Sequence, residues 1–74
     1  MPIEETRQVE IVVNGENRRV AAGASVLDLL ASLGLDPERV AVELDRDILP
    51  KGRWGQTALA GGERLEIVHF VGGG

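Results

Sequence analysis

Chemistry in a 74-residue chain without cysteine must come from a short inventory, and three of its members stand together: Gly72, Gly73 and Gly74 end the sequence. Glycine orders at the largest conformational-entropy cost and packs no side chain, so a run of it adds nothing to a fold. It offers instead a thin, pliable segment that can carry a carboxylate where bulkier residues cannot follow. The α-carboxylate expected on Gly74 is ionised at neutral pH and is a poor electrophile. Adenylation by ATP would convert it to an acyl-adenylate with a good leaving group. A sulfur nucleophile could then leave a thiocarboxylate at the same carbon. With no cysteine available, sulfur carried by this chain has no thiol side chain to occupy and must sit at the terminus. The plainer reading of the glycines is a frayed end, because termini tolerate change.

The remaining candidates for chemistry are isolated. His69 is the sole histidine and, by strand parity, is expected on the inward face as a partly buried structural residue. Ser25 and Ser32 fall at or in a helix, far along the chain from His69, so no nucleophile–base pair is expected. The carboxylates are dispersed, with no matched acid–base pair. Glycine doublets occur without a phosphate-loop pattern, and a metal would lack converging ligands. An enzyme acting alone is not expected, nor is a bound cofactor.

Composition narrows the class further. The chain is 43% hydrophobic but only 3% aromatic, so its core must be aliphatic, with Trp54 covering an edge. A net charge of −4 argues against nucleic acid and favours a basic patch on a protein partner. No apolar run reaches membrane-spanning length, and MPIEETRQ is unlike a signal peptide, which together imply a cytoplasmic protein.

Hydropathy supplies the elements that must position the tail. Residues 1–8 form a poorly patterned extension, 9–71 a single domain, and 72–74 a flexible tail. VEIVV (9–13) reads as a strand with Val9, Ile11 and Val13 inward, and Asn14-Gly15 as the type I′ turn of a hairpin. The return strand 16–20 is polar, as suits an edge. Ser25 with Asp28 forms a capping box for a helix over 26–33, whose stripe is Val26, Leu29, Leu30 and Leu33, widened by Leu27. Gly34 stops it. Asp36-Pro37 opens a short turn, VAVEL (40–44) is a strand, Ile48-Leu49 a very short one, and residues 51–60 are irregular with Leu59 plugging the core. The final strand, 64–71, runs into the glycines. The order ββα–βββ, with one helix across a mixed sheet, describes an α+β β-grasp (ubiquitin-like) fold.

Parity in the last strand singles out a second set of residues. Leu65, Ile67, His69 and Val71 share one face; Glu66, Val68 and Phe70 share the other, which Glu66 marks as solvent. Val68 and Phe70 are thus expected to be exposed, joined by Val12 if the first and last strands are neighbours. An apolar cluster beside a functional tail suggests a docking patch.

VNGE (13–16), SVLDLLASLGL (25–35), AVEL (41–44) and, above all, GGERLEIVHFVGGG (61–74) resemble the thiamine-pathway sulfur carrier proteins, ThiS, along nearly the whole chain from Val9. Asp45 and Glu63 depart conservatively from the family's usual Asn and Asp. The resemblance implies the β-grasp fold and a role as protein co-substrate. A ThiF-like adenylyltransferase, using ATP, would activate Gly74; a cysteine desulfurase would supply sulfur; thiazole synthase, ThiG, would accept it. Gly72 and Gly73 would be the tail, and Val68, Phe70 and Val71 would lie on the strand entering partner sites. The alternatives are a molybdopterin-synthase small subunit, a ubiquitin-like modifier joined to lysines, or a passive binding module.

Overall fold

The computed structural model describes residues 7–70. Its elements follow in the order β1 (Gln8–Val13), β2 (Glu16–Ala21), α1 (Val26–Ser32), a 3-10 turn (Pro37–Arg39), β3 (Val40–Leu44), β4 (Asp47–Ile48), a second 3-10 segment (Lys51–Gln56) and β5 (Arg64–His69). The strands form one mixed sheet in the order β2-β1-β5-β3-β4. The last strand of the chain is therefore the middle strand of the sheet, parallel to β1 and antiparallel to β3.

Local sequence chemistry accounts for most of the turns. Asn14 and Gly15 both adopt positive φ, 50° and 84°, as a type I′ hairpin turn requires. Ser25 caps α1 reciprocally: its hydroxyl accepts from the Asp28 N–H, and the Asp28 carboxylate accepts from the Ser25 N–H. Gly34, with φ of 73°, ends the helix, and the Leu35 N–H donates back to the Leu30 carbonyl. Asp45 sits at φ 49°, a left-handed position that Asp, like Asn, tolerates, and its carboxylate accepts from the Arg64 N–H at 2.9 Å. The Glu63 carboxylate closes the turn before β5 by accepting from the Ala60 N–H. Both acidic residues thus fit the turns in which they stand.

The core lies between α1 and one face of the sheet. Val26, Leu29 and Leu30 of the helix bury against Ile11, Val13, Val40, Val42, Leu65 and Ile67, with Leu59 and Trp54 completing the cluster. Trp54 is a central member at 2% exposure, so it does more than cover an edge; its indole N–H donates to the Leu49 carbonyl. Burying that ring requires the chain after β4 to wind into the 3-10 segment, a tertiary demand that leaves no hydrophobic period in 51–56. Leu59 is buried as expected, and its segment pairs with the helix entry through a Ser25–Ala58 bridge. Leu27 is 42% exposed and lies off the helix stripe. Its position one residue after Val26 rotates it about 100° around the helix from that buried side chain.

Candidate functional site

Everything that positions the end of the chain converges on β5. Its backbone is held on both sides: five residue pairs, from Val40–His69 to Leu44–Leu65, tie it to β3, and Val12–Arg64 and Val13–Leu65 tie it to β1. The Phe70 N–H adds a bond to the Arg39 carbonyl at 2.7 Å. Leu65 and Ile67 are buried on the helix side. β5 is therefore an anchored central strand, and residues 71–74 follow directly from it in sequence. Val71 and the glycines Gly72, Gly73 and Gly74, singled out from the sequence, lie outside the described residues.

The outer face of the sheet carries the apolar patch. Val68 and Phe70 are 55% and 50% exposed, as strand parity requires. Ala41 stands directly opposite Val68, and Ile48 opposite Glu43 on the next strand, which sets Ile48 diagonally beside Ala41 on the same face. Ile48, 77% exposed, belongs with this patch and was not recognised in the sequence. Its signal was weak, because a two-residue strand carries no readable alternation. Val12 is not brought to the patch. β1 and β5 are indeed neighbours, but Val12 is opposite Arg64, and Val68 lies four residues further along, about 13 Å at strand rise. Val12 is half-buried and lines a separate groove with Glu43, Arg46, Arg64 and Glu66.

Charges of both signs border the patch: Arg39, Asp36 and Glu38 beside Phe70, and Glu43, Glu66, Arg46 and Arg64 in the groove along the sheet. Glu43 and Glu66 face each other across the β3–β5 pair, a like-charge opposition that does not stabilise a sheet. Among the described residues the ion pairs are Lys51–Glu38 and Arg39–Asp36, so neither glutamate has a Lys or Arg within ion-pair distance. The two glutamates offer acceptors to a basic group on a partner, while Arg46 and Arg64 line the same groove.

His69 departs from expectation. It shares the inward parity of Leu65 and Ile67, but at the last position of β5 it is exposed. It lines a groove of about 300 Å³ on the helix side with Asn14, Glu16, Arg18, Leu33 and Leu35. Among the described residues no three His, Asp or Glu side chains are placed to hold a metal ion.

A β-grasp domain whose anchored last strand shows an apolar outer face and leads into a glycine tail defines a small protein of the ubiquitin-like class. The chain belongs to the ThiS family, whose model matches residues 5–74. It is 44% identical over 50 residues to the sulfur carrier protein ThiS of Bacillus subtilis, a match covering 68% of this chain and 76% of that protein. It is 46% identical over 66 residues, 89% of this chain, to a thiazole synthase of Paramagnetospirillum magneticum, of whose length the match spans only 20%. The crystal structure of thiamine biosynthesis protein ThiS from Geobacter metallireducens superposes with a TM-score of 0.76 at 32% identity, covering 89% of this chain and all of that one, 100%.

Proposed function

We propose that this chain is a sulfur carrier for thiazole formation in thiamine biosynthesis, acting in the cytoplasm as a protein co-substrate and not as an enzyme. The observation that carries this reading is the geometry of β5 in a ThiS-family domain: a rigid central strand exposes Val68 and Phe70 and then passes into Gly72-Gly73-Gly74. The Gly74 carboxylate would attack the α-phosphate of ATP on a ThiF-like adenylyltransferase, releasing pyrophosphate. Sulfur delivered by a cysteine desulfurase would displace AMP from the acyl carbon. Where the donor is a persulfide, thiolate cleavage of the resulting acyl disulfide leaves –COS⁻ on the chain and a disulfide on the donor. Thiazole synthase would then take the sulfur. The similarity to proteins named thiazole synthase supports that acceptor, since a carrier and the enzyme it serves are expected to be found together.

In this reading Ile48, Val68 and Phe70 form the surface that docks on the activating enzyme, with Val71 and the glycines entering its nucleotide site. Val12 is left to the neighbouring groove. The test is intact-protein mass spectrometry after incubation with ATP, a sulfur source and the thiamine-pathway activating enzyme. The expected result is a gain equal to replacing one oxygen by sulfur, absent when Gly74 is deleted. An unchanged mass with a demonstrably active enzyme, or recovery of Gly74 in isopeptide linkage to lysine, would overturn it.

A further inference from the structure

The two edges of β5 are secured in different ways. Towards β3, backbone pairing continues to the end of the strand and reaches Phe70. Towards β1 it stops early: the Asn14 N–H donates to the Leu65 carbonyl at 2.9 Å, and there β1 turns away into the Asn14-Gly15 hairpin. The next peptide group of β5 on that side belongs to Ile67, and no backbone is left to meet it. The side chain of Asn14 meets it instead. Its Oδ1 accepts from the Ile67 N–H at 2.7 Å, and its Nδ2 donates to the Ile67 carbonyl at 3.2 Å. A carboxamide has the same C=O and N–H pair as a peptide group, so it serves as one further rung of the ladder. Its orientation is unambiguous: the Ile67 N–H can only donate and the carbonyl only accept.

We propose that Asn14 is a positioning residue for the reaction of the tail. Its side-chain clamp holds the part of β5 that displays Val68 and Phe70 and from which residues 71–74 emerge. The inference rests on the reading that this tail is the reacting segment. Without the clamp, residues beyond Leu65 are fastened on the β3 side only. The strand then has to be ordered when the partner binds, and that ordering is subtracted from the affinity. The consequence falls on the docking step and leaves the chemistry of an already bound tail unchanged. Asn14 was legible in the sequence only as a turn residue. Its bond to a residue 53 positions away is decided by the sheet order.

The turn and the clamp can be separated, which makes the proposal testable. Asn14→Gly keeps a residue at ease at φ 50° and removes the clamp entirely. Asn14→Asp also keeps the turn, retains an acceptor for the Ile67 N–H, and sets a carboxylate against the Ile67 carbonyl. Amide hydrogen exchange in the full chain reads the clamp directly. For Asn14→Gly, exchange at Ile67 should rise roughly tenfold relative to a helix amide such as Leu29, as expected for losing one or two hydrogen bonds. Thiocarboxylate formation, measured against carrier concentration, should show KM raised about five- to tenfold with kcat unchanged, in keeping with a modest ordering cost. Asn14→Asp should fall between Asn14→Gly and the parent chain in both measurements. Faster exchange at Ile67 with an unaltered KM would overturn the proposal, because the clamp would then serve the fold alone. Unaltered exchange would overturn it as well. The parent chain in the same assay separates this from the functional reading: if it gains no sulfur, that reading fails before any variant is compared.

Discussion

At the scale of single residues, exposure and pairing assign different duties to neighbouring side chains on opposite faces of one strand. Ile67 is buried and holds the sheet to the helix, whereas Val68 and Phe70 are half in solvent and contribute little to the core. Phe70→Asp should therefore lower thermal stability by no more than about 1 kcal/mol, a little above the roughly 0.5 kcal/mol of most surface changes because the ring is half-buried, while reducing binding to the activating enzyme at least roughly tenfold. Calorimetry and a binding titration on the same preparation check this. Equal losses in both would show that Phe70 belongs to the core. Glu66 offers the opposite experiment, because it faces Glu43 directly across the sheet. Glu66→Gln removes a like-charge opposition and should raise stability by roughly 0.2–1 kcal/mol. If Glu66 meets a basic group on the partner, the same substitution should slow association and weaken its dependence on salt, as stopped-flow mixing at several ionic strengths would show.

At the scale of elements, α1 is seven residues long and could not persist alone, so its ends matter as much as its stripe. Ser25 and Asp28 satisfy each other's backbone N–H groups at the start. Ser25→Ala should cost about 1 kcal/mol, seen as a fall in melting temperature of roughly 4–8 °C for a domain this small. The 3-10 segment Lys51–Gln56 depends on one side chain, Trp54, which carries its only buried apolar surface. Trp54→Ala should cost about 3–5 kcal/mol, enough to leave much of the chain unfolded near physiological temperature by circular dichroism. A near-normal melting temperature would mean that the segment packs by another route.

Across the whole molecule, a stable body and a reactive end are kept apart. No residue of the core cluster lies beyond Ile67 among the described residues, and Gly73 and Gly74 have no side chains to pack. Deleting Gly73 and Gly74 should thus leave the melting temperature within about 2 °C of the parent chain while abolishing sulfur loading, since surface changes are normally worth no more than a few tenths of a kcal/mol. A collapse in stability would show that the glycines do more than extend the strand. The middle position of β5 explains how this division is possible: the element from which the tail departs is paired along both of its edges, to β1 and to β3.

Much of this protein follows from local physics that a sequence displays openly. The period-2 alternation of VEIVV and VAVEL, the i, i+3, i+4 stripe from Val26 to Leu30, the Asn14-Gly15 turn and the Ser25–Asp28 box each act over a few residues, so each could be read without knowing the fold. The exposure of Val68 and Phe70 followed from parity for the same reason. Tertiary structure decided what depends on residues far apart meeting. Sheet order and register separated Val12 from Val68, although the two strands are neighbours. The end of β5 left His69 in solvent despite its inward parity. The core claimed Trp54 from a stretch with no pattern, and a two-residue strand carried Ile48 onto the outer face. The Asn14 clamp on Ile67 is of the same kind: a local motif shows that Asn14 can turn the chain, but only the arrival of β5 beside β1 gives its carboxamide a peptide group to hold.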